Sequence, residues 1–342
     1  MTRREHPLRL VASALQGRLP DGSEWSSLLE IANRGWLTPA LYVAFERKDC
    51  LGQIPGGVRD YLALLHDRNA ERNRRLRAQL IEALRAMNAV GIEPILLKGA
   101  IKLFCGDGAS IRSRMISDLD INIAPDQVSD VKKALSQLGY GEADNPRELG
   151  RSEDVGVIEL HDRPNVRSAR YLTGDFGTSA PAVEREGVKA RVPSQTAQAT
   201  HLIVHDMIKE GDYWRLGINL RHLHDLAHLE RSTDGIDWHQ IATILCDDLG
   251  KGALAMQLLA LHDLFGLETP IELRGGPIGR LRHKARLQAV ELNTTGSLIR
   301  MSGKLAWAFH RFRESYTWQG WRDLTRRVHL RLVSSTKGST IG

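Results

Sequence analysis

The chain of 342 residues is long enough for about two globular domains, and its 42% hydrophobic and 26% charged residues exclude collagen-like, low-complexity and wholly disordered classes. The net charge of +6 is unevenly spread: from Gly276 to Gly342 thirteen Lys and Arg face three Asp and Glu, so everything before Gly276 is net negative. A basic C-terminal fifth can steer an anionic partner, or be the solvated face of Arg-rich helices.

Residues 1–90 read as helical, with Ser23 or Asp21 capping a helix over Trp25 to Asn33. From Val58 to Val90, Leu62, Leu65, Leu76, Leu80, Leu84 and Met87 recur near the 3.6-residue period, and Gly91 supplies the stop. Arg68, Arg72, Arg74, Arg75 and Arg77 fall between those positions and read as this helix's solvated face. At Gly91 the period changes. Residues Pro94 to Lys98 suit a buried strand, Gly99 turns it into a short helix through Phe104, and Gly106-Asp107-Gly108 marks a loop. Asp118 to Ala124 alternates polar and apolar residues as a half-buried strand does. Pro125 and Asp126 open a helix through Leu138, ended by Gly139, and Val155 to His161 is a further strand. Residues 162–193 read as loops with a hairpin around Gly187. From Ser194 the chain is helical again: Gln195 to Lys209, Trp214 to Glu230, Trp238 to Leu249, and further helices to about Val333 before a disordered tail.

No run of about 20 apolar residues exists to span a bilayer; the longest, Gly252 to Leu267, contains His262 and Asp263. The opening MTRREHPLRL lacks a signal peptide's apolar stretch and cleavage site. Cys50, Cys105 and Cys246 are odd in number and far apart, so no disulfide framework is expected and a reduced, cytoplasmic protein is.

The most informative stretch is Arg114-Met-Ile-Ser-Asp118-Leu-Asp120-Ile-Asn-Ile. Residues i and i+2 of a strand share a face, so Asp118 and Asp120 project side by side and repel unless neutralised. A divalent cation does this best, and hard oxygen ligands suit Mg²⁺, with Mn²⁺ as the alternative. A third carboxylate on a neighbouring strand, for which Glu159 between Ile158 and Leu160 is the candidate, permits in-line nucleotidyl transfer. The same pair also occurs on solvated strand edges, so the spacing alone does not decide.

The series Leu97-Lys98-Gly99-Ala100, Arg114, Ser117-Asp118-Leu119-Asp120, Gly139-Tyr140 and Glu159-Leu160-His161 resembles the uncharacterised nucleotidyltransferase family of the polymerase-β-like superfamily. Pro193-Ser194, His205, Asp225 and Asp237-Trp238 extend the resemblance, which spans roughly residues 25–245. It implies a polymerase-β-like nucleotidyltransferase core with a mixed sheet, and with the pattern along the chain this gives an α+β fold: an N-terminal helical segment at 1–90, the core at 91–192, a C-terminal helical domain at 193–333 and a disordered tail at 334–342. It further implies that Gly99 is the turn under the triphosphate, that Asp118, Asp120 and Glu159 are catalytic metal ligands, and that Lys98, Arg114 and Ser117 flank the nucleotide. The superfamily's usual Gly-Ser is here Gly99-Ala100, and the interval to Asp118 is longer than usual. Backbone N–H groups at the helix start can still hold phosphate.

The expected activity is therefore Mg²⁺-dependent transfer of NMP from an NTP, ATP first, to a hydroxyl or phosphate of an unidentified acceptor. The alternative is a catalytically silent nucleotide-binding or antitoxin-like regulatory module. Against each site residue stands a plainer role: Lys98 as a surface lysine, Arg114 as a partner of Asp118 or Asp120, Ser117 as a turn cap, His161 as a core histidine. His201 and His205 at i, i+4 can share a metal, and His205-Asp206 and His224-Asp225 form dyads, yet packing and lining a cleft are the simpler roles. Neither GxxxxGK[ST] nor GxSxG occurs, which removes P-loop and serine-hydrolase readings. Trp307 to Arg322 interleaves aromatics with arginines, suiting either an anionic acceptor (small molecule, peptide or RNA) or a helix packed on the body. The helical half is expected to form the cleft wall opposite the carboxylates, with Arg322, Arg326 and Arg327 drawing in the acceptor.

Overall fold

The structure is a computed structural model that describes residues 6–143, 145–163, 167–172, 180–290 and 294–315. Arg322, Arg326, Arg327 and the tail lie outside the described residues. Four helices come first: α1 (Pro7–Ala14), α2 (Trp25–Arg34), α3 (Thr38–Arg47) and the long α4 (Gly56–Ala89). Gly91 ends α4 at φ 77°, the left-handed conformation its missing Cβ allows. The central part runs β1 (Ile95–Leu96), α5 (Lys98–Cys105), α6 (Gly108–Ser113), β2 (Leu119–Asn122), α7 (Val128–Ser136), β3 (Gly141–Glu142), β4 (Glu148–Gly150), β5 (Ile158–His161), β6 (Ala182–Arg185) and β7 (Val188–Arg191). The remainder is α8 (Gln195–Ile203), a π-helical turn Val204–Lys209, α9 (Asp212–Arg215), α10 (Leu220–Glu230), α11 (Trp238–Ile244), α12 (Asp248–Phe265), α13 (Pro277–Val290) and α14 (Thr294–Ser315).

Local chemistry accounts for most of these boundaries. Ser194, Asn219, Asp237 and Asp247 each accept a backbone N–H three residues on, capping α8, α10, α11 and α12. Glu186 and Gly187, both at positive φ, form the two-residue turn that matches the twist of β6 and β7. Several expectations change. α2 has Glu24 at its N-cap and no side-chain cap, so neither Ser23 nor Asp21 caps it, and the helix expected over Trp238 to Leu249 ends at Ile244, with α12 starting at Asp248. The loop after Gly106 contains α6, because Asp107 accepts from Ser110 N and caps it. The single helix expected over Trp214 to Glu230 is broken at Leu216, which sits at φ 58° between α9 and α10.

The seven strands form one mixed sheet in the order β3-β4-β5-β2-β1-β7-β6, so the molecule is α+β. β1 pairs antiparallel with β2 and parallel with β7, while β2 pairs parallel with β5. One face, carrying Leu96, Leu119, Ile121, Ile158, Leu160 and Val188, is buried with Leu76, Leu80, Leu84 and Met87 of α4 and with α5 and α7. Each such side chain contributes roughly 1.5–3 kcal/mol on burial, which fixes which way the strands face. A second core joins α1–α3 and the first half of α4 to α8–α12. Helices from before and after the sheet thus share one apolar interior, with α4 running through both cores.

The α4 arginines are less solvated than the periodicity suggests. Arg72 donates to the carbonyls of Ile116 and Ser117, Arg75 to Glu153 and Arg77 to Leu103, tying the helix to the central loops. The reason is geometric: a helix this long passes beneath irregular backbone whose carbonyls need donors. Trp307 of α14 takes the packing role, lying against Gly211, with His310 between its ring and that of Trp214.

Candidate active site

The sheet's second face carries Asp120, Asn122, Glu159 and His161, and the parallel register sets Asp120 opposite Glu159 and Asn122 opposite His161. Asp120, Glu159 and His161 each bring one ligand atom into a group in which all lie within 4.8 Å of one another. Asp120 is 2% exposed; Lys98 Nζ donates to its Oδ1 at 2.7 Å, and His161 Nε2 lies 2.9 Å from the same oxygen. Burial opposes ionisation of Asp120, but the contact with His161 and the Lys98 ammonium outweigh it and hold the carboxyl well below the usual range. The His161 ring also lies 3.8 Å from Glu159.

Lys98 reaches this position through strained backbone. It stands at φ 47° where β1 turns into α5, a conformation costly for a residue with a Cβ. Gly99 itself is not left-handed; its importance is space. A Cβ there would stand 2.9 Å from Ile116 Cγ2 and 3.4 Å from Arg114 Nη1. Gly99→Ala is therefore expected to destabilise the fold by about 1–3 kcal/mol. In an Ile116→Ala background the same change should be nearly neutral, as urea midpoints would show. An equal cost in both backgrounds would contradict the packing role.

The other candidates are placed differently. Asp118 precedes β2 and accepts from Ser117 Oγ at 2.9 Å, outside the Asp120 group. Ser117 is exposed. Arg114 is buried and donates to Asp225 Oδ2 at 2.8 Å, while Lys102 Nζ holds the other carboxylate oxygen at 2.6 Å. This pairing fastens α10 to the turn leading into β2 and takes Arg114 away from Asp118 and Asp120. The loop carrying Arg114 is held from below by buried Asn69 and Asn73 of α4, which donate to its carbonyls. Polar residues on the inner face of an amphipathic helix look like surface residues in a linear pattern, so the sequence concealed them.

Above Glu159 and His161 opens a cavity of about 670 Å³. Ile95, Leu97 and Asn122 form its floor, and His201 of α8 and Lys209 line it from the helical half. Its size suits a small organic ligand. Lys98, Arg147, Arg163, Arg191 and Lys209 outnumber Glu93, Glu159 and Asp162 around it. Arg147 is paired with Asp162 at 3.2 Å and Arg191 with Glu93 at 3.2 Å, whereas Lys209 makes no ion pair among the described residues. The cavity lining is cationic on balance, with Glu159 and His161 at its sheet end beside the buried Asp120.

Two carboxylates and an imidazole converging on one point fit a divalent ion, and the Lys98 ammonium against Asp120 shows that this point attracts positive charge. Among the described residues no helix is long and apolar enough to cross a membrane. The sequence matches the family described as uncharacterised nucleotidyltransferase over residues 21–265. No curated protein and no solved structure matches it.

Proposed function

Since the chain belongs to the uncharacterised nucleotidyltransferase family, we propose that it moves NMP from an NTP, ATP first, to an acceptor bound in the cationic cavity. In this reading the sheet has the polymerase-β-like arrangement, and Asp120, Glu159 and His161 hold a divalent cation, while Asp118, the further ligand expected from the resemblance, stands outside that group before β2. The supporting observation is the register that sets an ionised, buried Asp120 opposite Glu159 at the cavity's end. When bound, the ion neutralises charge developing on the phosphates of the transition state. An imidazole in the donor set favours Mn²⁺ over Mg²⁺.

The residues divide the work by position. Lys98 would turn from Asp120 to the phosphates, and the start of α5 at Gly99 would offer backbone N–H groups. The acceptor oxygen bonds to the α-phosphorus, the bond to pyrophosphate breaks, and the acceptor proton passes to Glu159. Lys209 from the helical half, and Arg147 and Arg163 beside β5, attract an anionic acceptor. Arg114 acts indirectly, by holding the turn before Asp118.

A second reading keeps nucleotide binding without turnover. It is favoured by Ala100 in place of a serine and by an Asp120 already neutralised by Lys98 and His161. One experiment separates the two. The protein is incubated with each labelled NTP, Mg²⁺ or Mn²⁺, and a panel of hydroxyl and phosphate acceptors that includes the chain itself. Pyrophosphate release is expected with both ions, at lower Mn²⁺ than Mg²⁺. Glu159→Gln should lower turnover by about 10²–10⁴ while nucleotide binding persists. Binding without pyrophosphate across the panel would instead establish the silent module.

A further inference from the structure

A second cluster lies in the helical half, one helical turn beyond His201 of the cavity wall. His205 and Asp206 stand in the π-helical turn Val204–Lys209, and His222 stands in the first turn of α10. Such turns are frequent where a helix must aim side chains at a site. His222 Nδ1 lies 2.8 Å and His205 Nδ1 3.1 Å from the same Asp206 Oδ1, and the three form a group within 4.8 Å. Asp206 is 2% exposed, and its Oδ2 is buried without a hydrogen-bond partner among the described residues.

Asp206 Oδ1 gathers the polar groups: His222 Nδ1, His205 Nδ1 and Asn219 Nδ2 stand 2.8, 3.1 and 3.3 Å from it, and the Asn219 orientation is fixed because its Oδ1 accepts from His222 N. Two Nδ1 atoms converging on one carboxylate oxygen hold either imidazole protons or a cation in their place, and Asn219 serves the carboxylate in both cases.

We propose that His205, Asp206 and His222 form a binding site for one divalent first-row transition ion. The donor chemistry selects the class: two imidazoles and one carboxylate suit such ions and do not suit Mg²⁺ or Ca²⁺. The spacing agrees, because adjacent ligands about 2.1 Å from an ion stand roughly 3 Å apart. The outer shell agrees as well, for His205 Nε2 lies 3.9 Å from Glu210 Oε1, so its far nitrogen faces a carboxylate while Nδ1 is turned inward. An ion here would pin the π-helical turn to α10. His201 and Lys209, which flank His205 and Asp206 on the same helical segment, line the nucleotide-sized cavity, so the ion would order that wall.

The site is independent of the nucleotidyl-transfer reading, and the test removes the sheet carboxylates to keep them apart. The full chain carrying Asp120→Asn and Glu159→Gln is stripped with chelator and titrated with Co²⁺ alone, followed by calorimetry and visible absorption. One ion per chain is expected, with affinity falling at least about tenfold when Asp206→Asn or His222→Gln is added. Because those buried substitutions can unfold the chain, the Asp120→Asn and Glu159→Gln chain with His205, Asp206 and His222 intact supplies a second measurement: Co²⁺ should shift the ring resonances of His205 and His222 beyond those of His239. No Co²⁺ bound by the Asp120 and Glu159 variant at millimolar concentration would overturn the proposal. So would unshifted His205 and His222 resonances.

Discussion

Asp120→Ala is expected to lower nucleotidyl transfer by about 10³-fold or more, the largest catalytic effect of any single change, because it removes the most buried ligand of the proposed cation. The fold should survive. Asp120 faces the cavity end, and Lys98, freed of its partner, has 15% of its side chain exposed and can turn toward solvent. The same substitution carries a pH signature. Asp120 is held below the unfolded carboxyl value of about 3.9, so its ionised form stabilises the protein above that pH, and the contribution is lost as pH falls toward the folded value. Asp120→Ala should therefore flatten acid unfolding below about pH 4 relative to wild type. The measurement pairs steady-state pyrophosphate release with circular dichroism against pH. Wild-type turnover in a folded Asp120→Ala protein would mean that the chemistry lies elsewhere.

Asp225→Ala should produce the largest loss of stability. Its carboxylate is buried between Arg114 and Lys102, and removing it leaves two cations facing each other in apolar surroundings. Breaking such a pair costs about 3–5 kcal/mol, more than the pair itself contributes. Burial opposes ionisation of Asp225, yet Arg114 and Lys102 outweigh it and hold the carboxyl well below its ordinary range. Its stabilisation is thus complete above about pH 4 and disappears as pH drops through the depressed folded value. Urea unfolding at pH 7 should show the full loss, and the gap between variant and wild type should narrow at lower pH. A gap that stays constant down to the acid limit would show that Asp225 is held by packing and not by charge. Because Arg114 leads directly into Ile116 and Asp118, the variant should also lose activity by loosening the turn before β2.

Those two aspartates mark how far the linear pattern reaches. The strand around Asp120 was legible because a period of two sets Leu119 and Ile121 on the buried face and Asp120 on the other, but the pattern did not show that Asp118 falls before β2 and outside the Asp120 group. Glu159 was legible for the same reason, as a polar residue between two apolar ones. Asp225, by contrast, was singled out only in the His224-Asp225 dyad and in the family resemblance, and nothing local shows which cations it meets. Only the approach of α10 to α5 and to the turn before β2 brings it to Lys102 and Arg114.

The sequence by itself determined the α+β class, the helix caps at Ser194 and Asp237, the hairpin around Gly187, and the run of residues in which the carboxylates lie. These follow from interactions within a few residues, where backbone preference and side-chain period act directly. Tertiary structure alone decided that Lys98 and His161 share Asp120 Oδ1, that Arg114 serves Asp225 instead of Asp118, and that His205 meets His222 across Asp206. Each of these contacts joins elements whose adjacency depends on strand order and helix packing. Burial of apolar surface sets that order, and it acts on the chain as a whole without regard to the polar groups it carries inward. Those groups then pair with whatever partner the packing presents, which no local pattern records.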